Sequence, residues 1–182
     1  MNKHTQREEI RRRIKKLTPG YCLISDKAIC LSILSLPVYR NASCIFCYVS
    51  TVKEVDTHPI IQDAWTSGKR IAVPRCISEG IMEAFEIRSW EDLTNGKYQI
   101  PEPKAHCALV TPPEIDFAIL PCLSCDRKKN RLGHGGGYYD RYLMNTTFPA
   151  AAVCREQLLL DHVCHEPHDH PMDMVVTEIA TY

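Results

Sequence analysis

A chain of 182 residues, 45% of them hydrophobic, is long enough to bury one core but short for two, so we expect a single domain over residues 1–182. The 22 basic and 22 acidic residues balance, which argues against a general attraction to nucleic acid or to an anionic membrane. Residues 1–16 lack a signal-peptide pattern, and the most apolar segment, residues 29–38, is shorter than the roughly 20 residues that span a bilayer. These features predict a cytoplasmic protein that binds neither nucleic acid nor membrane.

The first quarter of the chain carries two helix patterns followed by a strand pattern. Residues 3–17 are charged with a narrow apolar stripe, and Thr18-Pro19-Gly20 is predicted to end this helix. A second helix is predicted over residues 25–36 and stops at Pro37. Residues 44–49 form a continuous apolar run, which is typical of a strand covered on both faces.

The next segment indicates a strand, a helix and a second strand. A helix is predicted from the N-cap candidates Asp56 and Thr57 through Trp65, and residues 70–74 follow as a buried strand. Together with the strand at residues 44–49, they form the pattern of a right-handed parallel βαβ unit.

The remaining elements are predicted from apolar runs and turn signals. In chain order they are a strand at 81–87, a helical turn at 89–93, a proline-bearing loop at 96–103, a strand at 117–121, a long loop with a glycine cluster, a helix at 138–144, and strands at 150–154 and 174–177. This alternation predicts an α/β fold, a three-layer sandwich with a mostly parallel central sheet and helices on both faces.

The most informative segment is NRLGHGGGYYDRYL, residues 130–143. It follows a buried strand and opens a helix, which is where ligands bind in α/β sheets. Gly133, Gly135, Gly136 and Gly137 allow positive φ angles and expose successive N–H groups, an arrangement suited to phosphate. The spacing fits neither the Walker A loop nor the GxGxxG fingerprint, and a bare glycine cluster also fits a tight structural turn.

Charged residues flank the glycines and favour the phosphate interpretation over the structural turn. Arg131 can bind phosphate oxygens with both ends of its guanidinium. Asp140, in the first turn of the predicted helix, can hold a magnesium ion or favour the helix dipole.

The stretch from Arg131 to Leu143 resembles the RLGxGxGYYDxxL signature of the 5-formyltetrahydrofolate cyclo-ligase family, also called methenyltetrahydrofolate synthetases. Other stretches resemble the family in the same order along the chain. They are residues 48–57 (YVSTVKEVDT), Gly68-Lys69-Arg70 with Pro74-Arg75, residues 100–103 (IPEP) and residues 171–178. The resemblance therefore spans nearly the whole chain.

This resemblance implies the family's reaction, in which ATP is used to close the 5-formyl group of reduced folate onto N10. The products are 5,10-methenyltetrahydrofolate, ADP and phosphate, and the implied route is phosphorylation of the formyl oxygen followed by attack of N10. The implied cofactors are ATP and Mg²⁺, and the substrate is a reduced folate with or without a polyglutamate tail. We expect a monomer or a weak dimer.

The resemblance also assigns roles by position. It implies that Arg131, Glu54 and Lys3 act in catalysis and that Asp140 and Asp173 hold magnesium. The residues expected to bind ATP are Lys3, Arg7, Arg131, Leu132, Gly133, His134, Gly135, Gly136, Gly137, Tyr138 and Tyr139. The residues expected to bind folate are Val49, Glu54, Tyr98, Gly135, Gly136, Gly137, Tyr138 and Tyr139.

Two alternatives come from other classes of protein. Zinc binding is suggested by the CxxC pairs Cys44/Cys47 and Cys122/Cys125 and by the histidine-rich residues 162–170. Cys44 and Cys47 lie three apart in a predicted strand and would face opposite sides, which argues against a shared metal. The other alternative is an enzyme acting on phosphosugars or acyl-CoA on a similar α/β fold.

Overall fold

The computed structural model describes residues 2–96, 100–144, 146–167 and 169–182. In these ranges the chain forms helices, strands and short 3-10 turns. The helices are α1 (Lys3–Ile14), α2 (Pro19–Ser35), α3 (Pro37–Asn41), α4 (His58–Thr66) and α5 (Tyr138–Leu143). The strands are β1 (Cys44–Cys47), β2 (Arg70–Ser78), β3 (Ile81–Ile87), β4 (Leu93–Asn95), β5 (Pro101–Pro103), β6 (Leu109–Val110), β7 (Phe117–Leu120), β8 (Ser124–Cys125), β9 (Arg131–Leu132), β10 (Ala150–Val153) and β11 (Met174–Val176).

Seven strands form the central sheet, in the order β11-β10-β7-β1-β2-β3-β6. The five strands from β11 to β2 are parallel to their neighbours, whereas β3 and β6 are joined by antiparallel pairs. The parallel unit of β1, α4 and β2 is confirmed, with Ile45 opposite Ile71. The carboxyl ends of the five parallel strands therefore share one edge of the sheet, from which the loops after β1, β7 and β10 begin.

Both faces of the sheet are covered, because side chains of β1 alternate between two buried apolar clusters. Phe46 belongs to the cluster that contains Ile10 of α1 and Leu143 of α5. Ile45 belongs to the other cluster, which contains Ile29 of α2 and Ile61 of α4. The predicted α/β sandwich with a mostly parallel sheet and helices on both faces is confirmed.

The helix boundaries differ from the predicted ones near the N-terminus. Thr18-Pro19-Gly20 was expected to end a helix, but it begins α2, because the Thr18 hydroxyl accepts a hydrogen bond from the Tyr21 N–H at 3.2 Å and Pro19 occupies the first turn. Pro37 stops α2 as predicted, and it also starts the short helix α3, which lies outside the predicted elements.

Two segments predicted as loops contain strands. β5 lies within the 96–103 segment and pairs with β4 as a two-stranded ribbon, which tolerates proline because both of its strands are edges. β8 and β9 form a hairpin before the glycines. Its turn is closed by the Asp126 carboxylate, which accepts the N–H groups of Lys128 and Asn130 at 2.9 and 3.0 Å.

Taken one at a time, the helices of the described ranges are too short or too polar to cross a membrane. Counted together, α1 and α2 have the length and apolar composition of a membrane span, but the two helices are bent by 110° relative to each other.

Phe46 offers a test of the packing between the sheet and α5. It is fully buried and stacks on Tyr142, with ring centroids 5.2 Å apart. We expect Phe46→Ala to lower the free energy of unfolding by about 3–5 kcal/mol, because it leaves a cavity in a close-packed core. Denaturant unfolding followed by circular dichroism measures the change. Leu23→Ala, at a position of α2 that is 73% exposed, is the control and should cost far less. Equal effects of the two substitutions would contradict this packing.

Candidate active site

The glycine loop joins β9 to α5 at the carboxyl edge of the sheet. Gly135 and Gly137 have φ angles of +113° and +68°, which residues with a Cβ rarely adopt. A Cβ on Gly137 would also lie 2.7 Å from Nη1 of Arg141. Arg141 donates hydrogen bonds to the carbonyls of Gly80, at 2.6 Å, and Gly136, and so fastens the loop to the turn between β2 and β3. The backbone of the loop therefore requires these glycines.

Arg131 lies at the base of the glycine loop and is buried. Its Nη1 donates to the carbonyl of Pro121 at 3.2 Å, and its Nη2 forms an ion pair with Asp140 Oδ1 at 2.8 Å. Its Nε is buried and has no hydrogen-bond partner among the described residues. A buried donor left without an acceptor costs about 1–3 kcal/mol, so an anionic ligand beside this guanidinium would be stabilised.

The aromatic and apolar residues of the loop pack it onto the sheet. Leu132 is buried in the same cluster as Phe46, and the rings of Tyr138 and Tyr139 pack against that cluster. Tyr139 meets Phe46 edge to face, with centroids 6.4 Å apart, and burial raises the pKa of its phenol. Tyr139 is therefore neutral near pH 7, and its ring lies 5.5 Å from the Arg131 guanidinium.

Two basic residues of α1 lie near the loop. Arg7 Nε donates to the Gly133 carbonyl at 2.9 Å. Lys3 Nζ forms ion pairs with Asp169 at 2.6 Å and Glu166 at 3.0 Å. Burial lowers the pKa of Lys3, but its hydrogen bonds to these two carboxylates outweigh that effect and raise it overall. Lys3 therefore remains protonated and positively charged at neutral pH.

Gln6 holds α1 in this position, and sequence analysis missed it. Its side chain is buried, donates to the His162 carbonyl at 2.7 Å and accepts the Cys164 N–H at 2.9 Å. The signal is weak because a glutamine on a highly charged helix resembles one more solvated residue. Only the folded position of residues 162–164 shows that Gln6 fixes α1 to that segment.

A polar cavity of about 200 Å³ lies beside Arg131. The other residues that line it are polar or charged except for Pro171. They are Asn130, His165, Asp169, His170 and Pro171. Three basic side chains, Arg131, His165 and His170, line this space, and a fourth, Lys3, is bonded to Asp169 in its wall. The arrangement suits a phosphate chain.

Glu54 belongs to the loop after β1, which meets the glycine loop. Its Oε2 accepts the N–H and the hydroxyl of Thr51, both at 2.8 Å, and its Oε1 lies 3.8 Å from His134 Nε2. The structure therefore brings together two predicted site residues, Glu54 and His134, that are 80 positions apart in the chain.

Arg155 holds the Glu54 loop from below, and it is a second residue that sequence analysis missed. It is buried, donates to the carbonyls of Lys53 at 3.1 Å and Glu54 at 2.6 Å, and forms a two-pronged ion pair with Asp26, with both contacts at 2.8 Å. The pair joins α2 to the end of β10 across 129 positions, a separation that no local pattern reveals.

A second, larger cavity of about 500 Å³ opens beyond β1. Its walls carry the predicted residue Val49 together with side chains from α4, from the 3-10 turn before β4 and from the β4–β5 ribbon. These are His58, Trp90, Leu93, Thr94, Asn95 and Pro101. The Trp90 ring lies 4.9 Å from His58 and 4.8 Å from Trp65. Tyr98, predicted to bind folate, lies outside the described residues.

The two predicted magnesium ligands occupy different places. Asp140 lies on α5, paired with Arg131. Asp173 precedes β11, and its Oδ2 accepts the Ala150 N–H at 2.7 Å, at the amino end of β10. Its carboxylate therefore fastens two strand starts at the edge opposite the glycine loop, and the structure does not bring it to Asp140.

Neither CxxC pair forms a metal site within the described ranges. Cys44 and Cys47 point to opposite faces of β1, as their spacing predicts. Cys122 donates from its thiol to the Val153 carbonyl at 3.2 Å, and it contacts the thiols of Cys125 and Cys154. All of these cysteines are free thiols.

The fold and the glycine loop define an α/β protein with a ligand site beyond the carboxyl ends of its parallel strands. A sequence comparison then identifies the family: the profile of the 5-formyltetrahydrofolate cyclo-ligase family matches residues 1–178. The chain belongs to this family of ligases, as the resemblance implied.

Individual relatives agree with this membership. The chain is 30% identical over 175 residues to a 5-formyltetrahydrofolate cyclo-ligase of Escherichia coli (strain K12), covering 92% of this chain and 96% of the relative. It is 29% identical over 167 residues to a probable 5-formyltetrahydrofolate cyclo-ligase of Schizosaccharomyces pombe, covering 82% of each. The fold is similar to that of the Aquifex aeolicus 5,10-methenyltetrahydrofolate synthetase, with a TM-score of 0.87, 24% identity, and coverage of 100% of this chain and 92% of the other.

Asp26 provides a test of how the Glu54 loop is held. We expect Asp26→Ala to lower the free energy of unfolding by about 3–5 kcal/mol, because it leaves the buried Arg155 guanidinium without its carboxylate. Denaturant unfolding measures this loss, and faster amide hydrogen exchange in residues 53–56 should accompany it. Asp161→Ala, at an exposed position, is the control. An Asp26→Ala protein as stable as this control would show that the ion pair is not needed.

Proposed function

We propose that the protein catalyses the ATP- and magnesium-dependent cyclisation of 5-formyltetrahydrofolate to 5,10-methenyltetrahydrofolate, with release of ADP and phosphate. The observation that carries this proposal is the buried Arg131, whose Nε lacks a partner among the described residues and which both precedes the glycine loop and lines the smaller cavity. Family membership supplies the reaction class. The names of the relatives supply the substrate.

Arg131, the glycine loop that follows it and two basic residues of α1 fit a nucleotide's phosphate chain. Arg131 offers a buried donor, the backbone of residues 133–137 offers N–H groups, and Lys3 and Arg7 add charge from α1. When bound there, ATP would supply the phosphoryl group that turns the formyl oxygen into a leaving group. Arg131 and Lys3 then hold the negative charge in place, and α1 keeps water from one side of the site.

The carboxylates that fit a magnesium ion are Asp140 and Asp169. Asp140 uses Oδ1 to bind Arg131, and Asp169 lines the smaller cavity. One or two carboxylates together with phosphate oxygens make a typical magnesium environment. We therefore assign the metal to this pair and leave out Asp173, whose carboxylate lies at the amino ends of β10 and β11 and does not line the cavity.

The larger cavity fits a flat heteroaromatic ring system. Trp90, His58 and Val49 provide planar and apolar walls on which a pterin or benzoyl ring can pack. We assign the Glu54 carboxylate as the acceptor of the N10 proton. Thr51 binds this carboxylate, and the Arg155 guanidinium donates to the backbone carbonyl of Glu54. Tyr98 belongs to this proposal on the basis of the resemblance alone.

We further propose that the protein works in the cytoplasm as one domain. Its ten cysteines, all of which lie among the described residues, form no disulfide, which is the expected state in a reducing compartment. Both apolar clusters flank one sheet, and one of them joins α1, through Ile10, to β11, through Val175.

The activity is tested directly with purified protein, MgCl₂, ATP and 5-formyltetrahydrofolate. We expect the near-ultraviolet absorbance of the methenyl product to appear and one ADP to form per product molecule. Omission of ATP or chelation of magnesium should stop the reaction. An intact, folded protein that stays silent with fresh substrate would refute the proposed function.

Arg131→Ala tests the observation that carries the proposal. We expect kcat/KM to fall roughly 30- to 1,000-fold, because about 2–4 kcal/mol of stabilisation of the transferred charge is lost. Arg127→Ala is the matched control, since Arg127 lies on the same hairpin but is 70% exposed and contacts Glu156 and Tyr182 rather than the glycine loop. Circular dichroism checks that both variants fold. If the folded Arg131→Ala protein keeps the wild-type kcat/KM, Arg131 does not hold the phosphate.

A further inference from the structure

Three side chains with metal-binding atoms converge away from the glycine loop. Asp92 ends the 3-10 turn Trp90–Asp92, and His106 and Cys107 lie in the turn after β5. One carboxylate oxygen, one imidazole nitrogen and one Sγ from these residues all lie within 4.8 Å of one another. Among the residues that the structure describes, no other group of His, Cys, Asp or Glu side chains does so.

The backbone around this group brings the donors together before any ligand binds. The pairing of β4 with β5 places the turn after β5 beside Asp92. The Lys104 N–H donates to the Asp92 carbonyl at 2.8 Å, and the Cys107 N–H donates to the Lys104 carbonyl at 3.1 Å. The Cys107 thiol lies 3.7 Å from the Asp92 carbonyl. These bonds close a compact turn that holds all three residues.

The Asp92 carboxylate is oriented by its own turn. Its Oδ2 accepts the N–H groups of Arg88 at 2.7 Å and Ser89 at 3.2 Å. Its Oδ1 is thereby directed towards His106, whose Nε2 lies 3.0 Å away. Carboxylates that bind a metal ion through one oxygen are commonly held in place by hydrogen bonds to the other oxygen.

We propose that Asp92, His106 and Cys107 form a zinc site with water as the fourth ligand. A mixed set of one oxygen, one nitrogen and one sulfur suits Zn²⁺, whereas Mg²⁺ and Ca²⁺ prefer oxygen alone. Tetrahedral zinc with bonds of about 2.0–2.3 Å places its ligand atoms about 3.3–3.8 Å apart. Small side-chain rotations bring the present separations into that range.

An ordinary ion pair explains less of this geometry. The imidazole is largely exposed and the carboxylate is half-buried. A pair near the surface contributes only about 0–1 kcal/mol to stability, and it gives no reason for the thiol beside it. Cys107 is buried, whereas His106 is largely exposed, so that the metal would have one protected side and one side open to water.

The proposed zinc site lies next to a wall of the larger cavity. Trp90 shares the 3-10 turn with Asp92, and Leu93, Thr94, Asn95 and Pro101 belong to the β4–β5 ribbon that the zinc would fasten. A bound zinc ion would therefore stiffen that wall. An effect on folate binding rests on the proposed function, but the binding of the metal itself does not.

Cobalt is the probe that reports on the thiol. Metal-free protein without a histidine tag is titrated with Co²⁺, and a near-ultraviolet thiolate-to-cobalt charge-transfer band is expected at one equivalent. Zn²⁺ should abolish this band by displacement, and its affinity is measured in competition with a chromophoric chelator. A rise in Tm with one equivalent of Zn²⁺ is also expected.

Substitutions then assign the site. Cys107→Ser should remove the charge-transfer band, and His106→Ala should weaken zinc binding at least tenfold. His106 is largely exposed, so the His106→Ala protein should fold, and circular dichroism of the metal-free variants checks this. Cys164→Ser is the matched control, because Cys164 lies among the histidines of residues 162–170. A band that survives Cys107→Ser but disappears in Cys164→Ser, or a wild-type protein that gives no band, would overturn the proposal.

Discussion

The buried guanidinium of Arg131 is the contact on which the rest of the site depends. It joins the end of β7, through the Pro121 carbonyl, to the start of α5, through Asp140, and it lies directly beneath Gly133. One carboxylate and one carbonyl satisfy only part of a buried arginine, which can donate five hydrogen bonds. A negatively charged ligand would complete this set, and under the proposed function that ligand is the phosphate chain of ATP.

The geometry around Arg131 needs support from distant parts of the chain. Gln6 fixes α1 to residues 162–164, which places Arg7 against the glycine loop. Arg155 fixes the Glu54 loop to α2 and to the end of β10. Neither residue lines either of the two cavities described above. Gln6 positions the charged side chain of Arg7, and Arg155 positions the Glu54 loop, both at the carboxyl ends of the parallel strands.

Much of the fold could be predicted because its signals are local. The apolar run of β1 and the glycines before α5 carry their conformational requirements in a few adjacent residues. The start of α2 was predicted incorrectly because a threonine-proline-glycine segment is compatible with either a helix end or a helix start. The β4–β5 ribbon was missed because prolines lower the strand signal even where an edge tolerates them.

The site shows a similar division between local and distant information. The sequence places Arg131, Asp140 and the glycines in one loop, and the structure keeps them together. It could not show that Asp173 binds the Ala150 N–H, since that contact depends on how β11 pairs with β10. The Asp26–Arg155 pair and the Gln6 clamp likewise depend on contacts between residues more than 120 positions apart.

The docking of α1 has a consequence for the order in which the molecule can be completed during synthesis. Lys3 and Glu166 are separated by 163 positions, and Gln6 binds residues almost as far away. Because synthesis runs from the N-terminal side, α1 leaves the ribosome well before residues 162–166, which it contacts in the folded protein. Until those residues have been made, α1 lacks these partners, so Arg7 can be held against the glycine loop through Gln6 only afterwards.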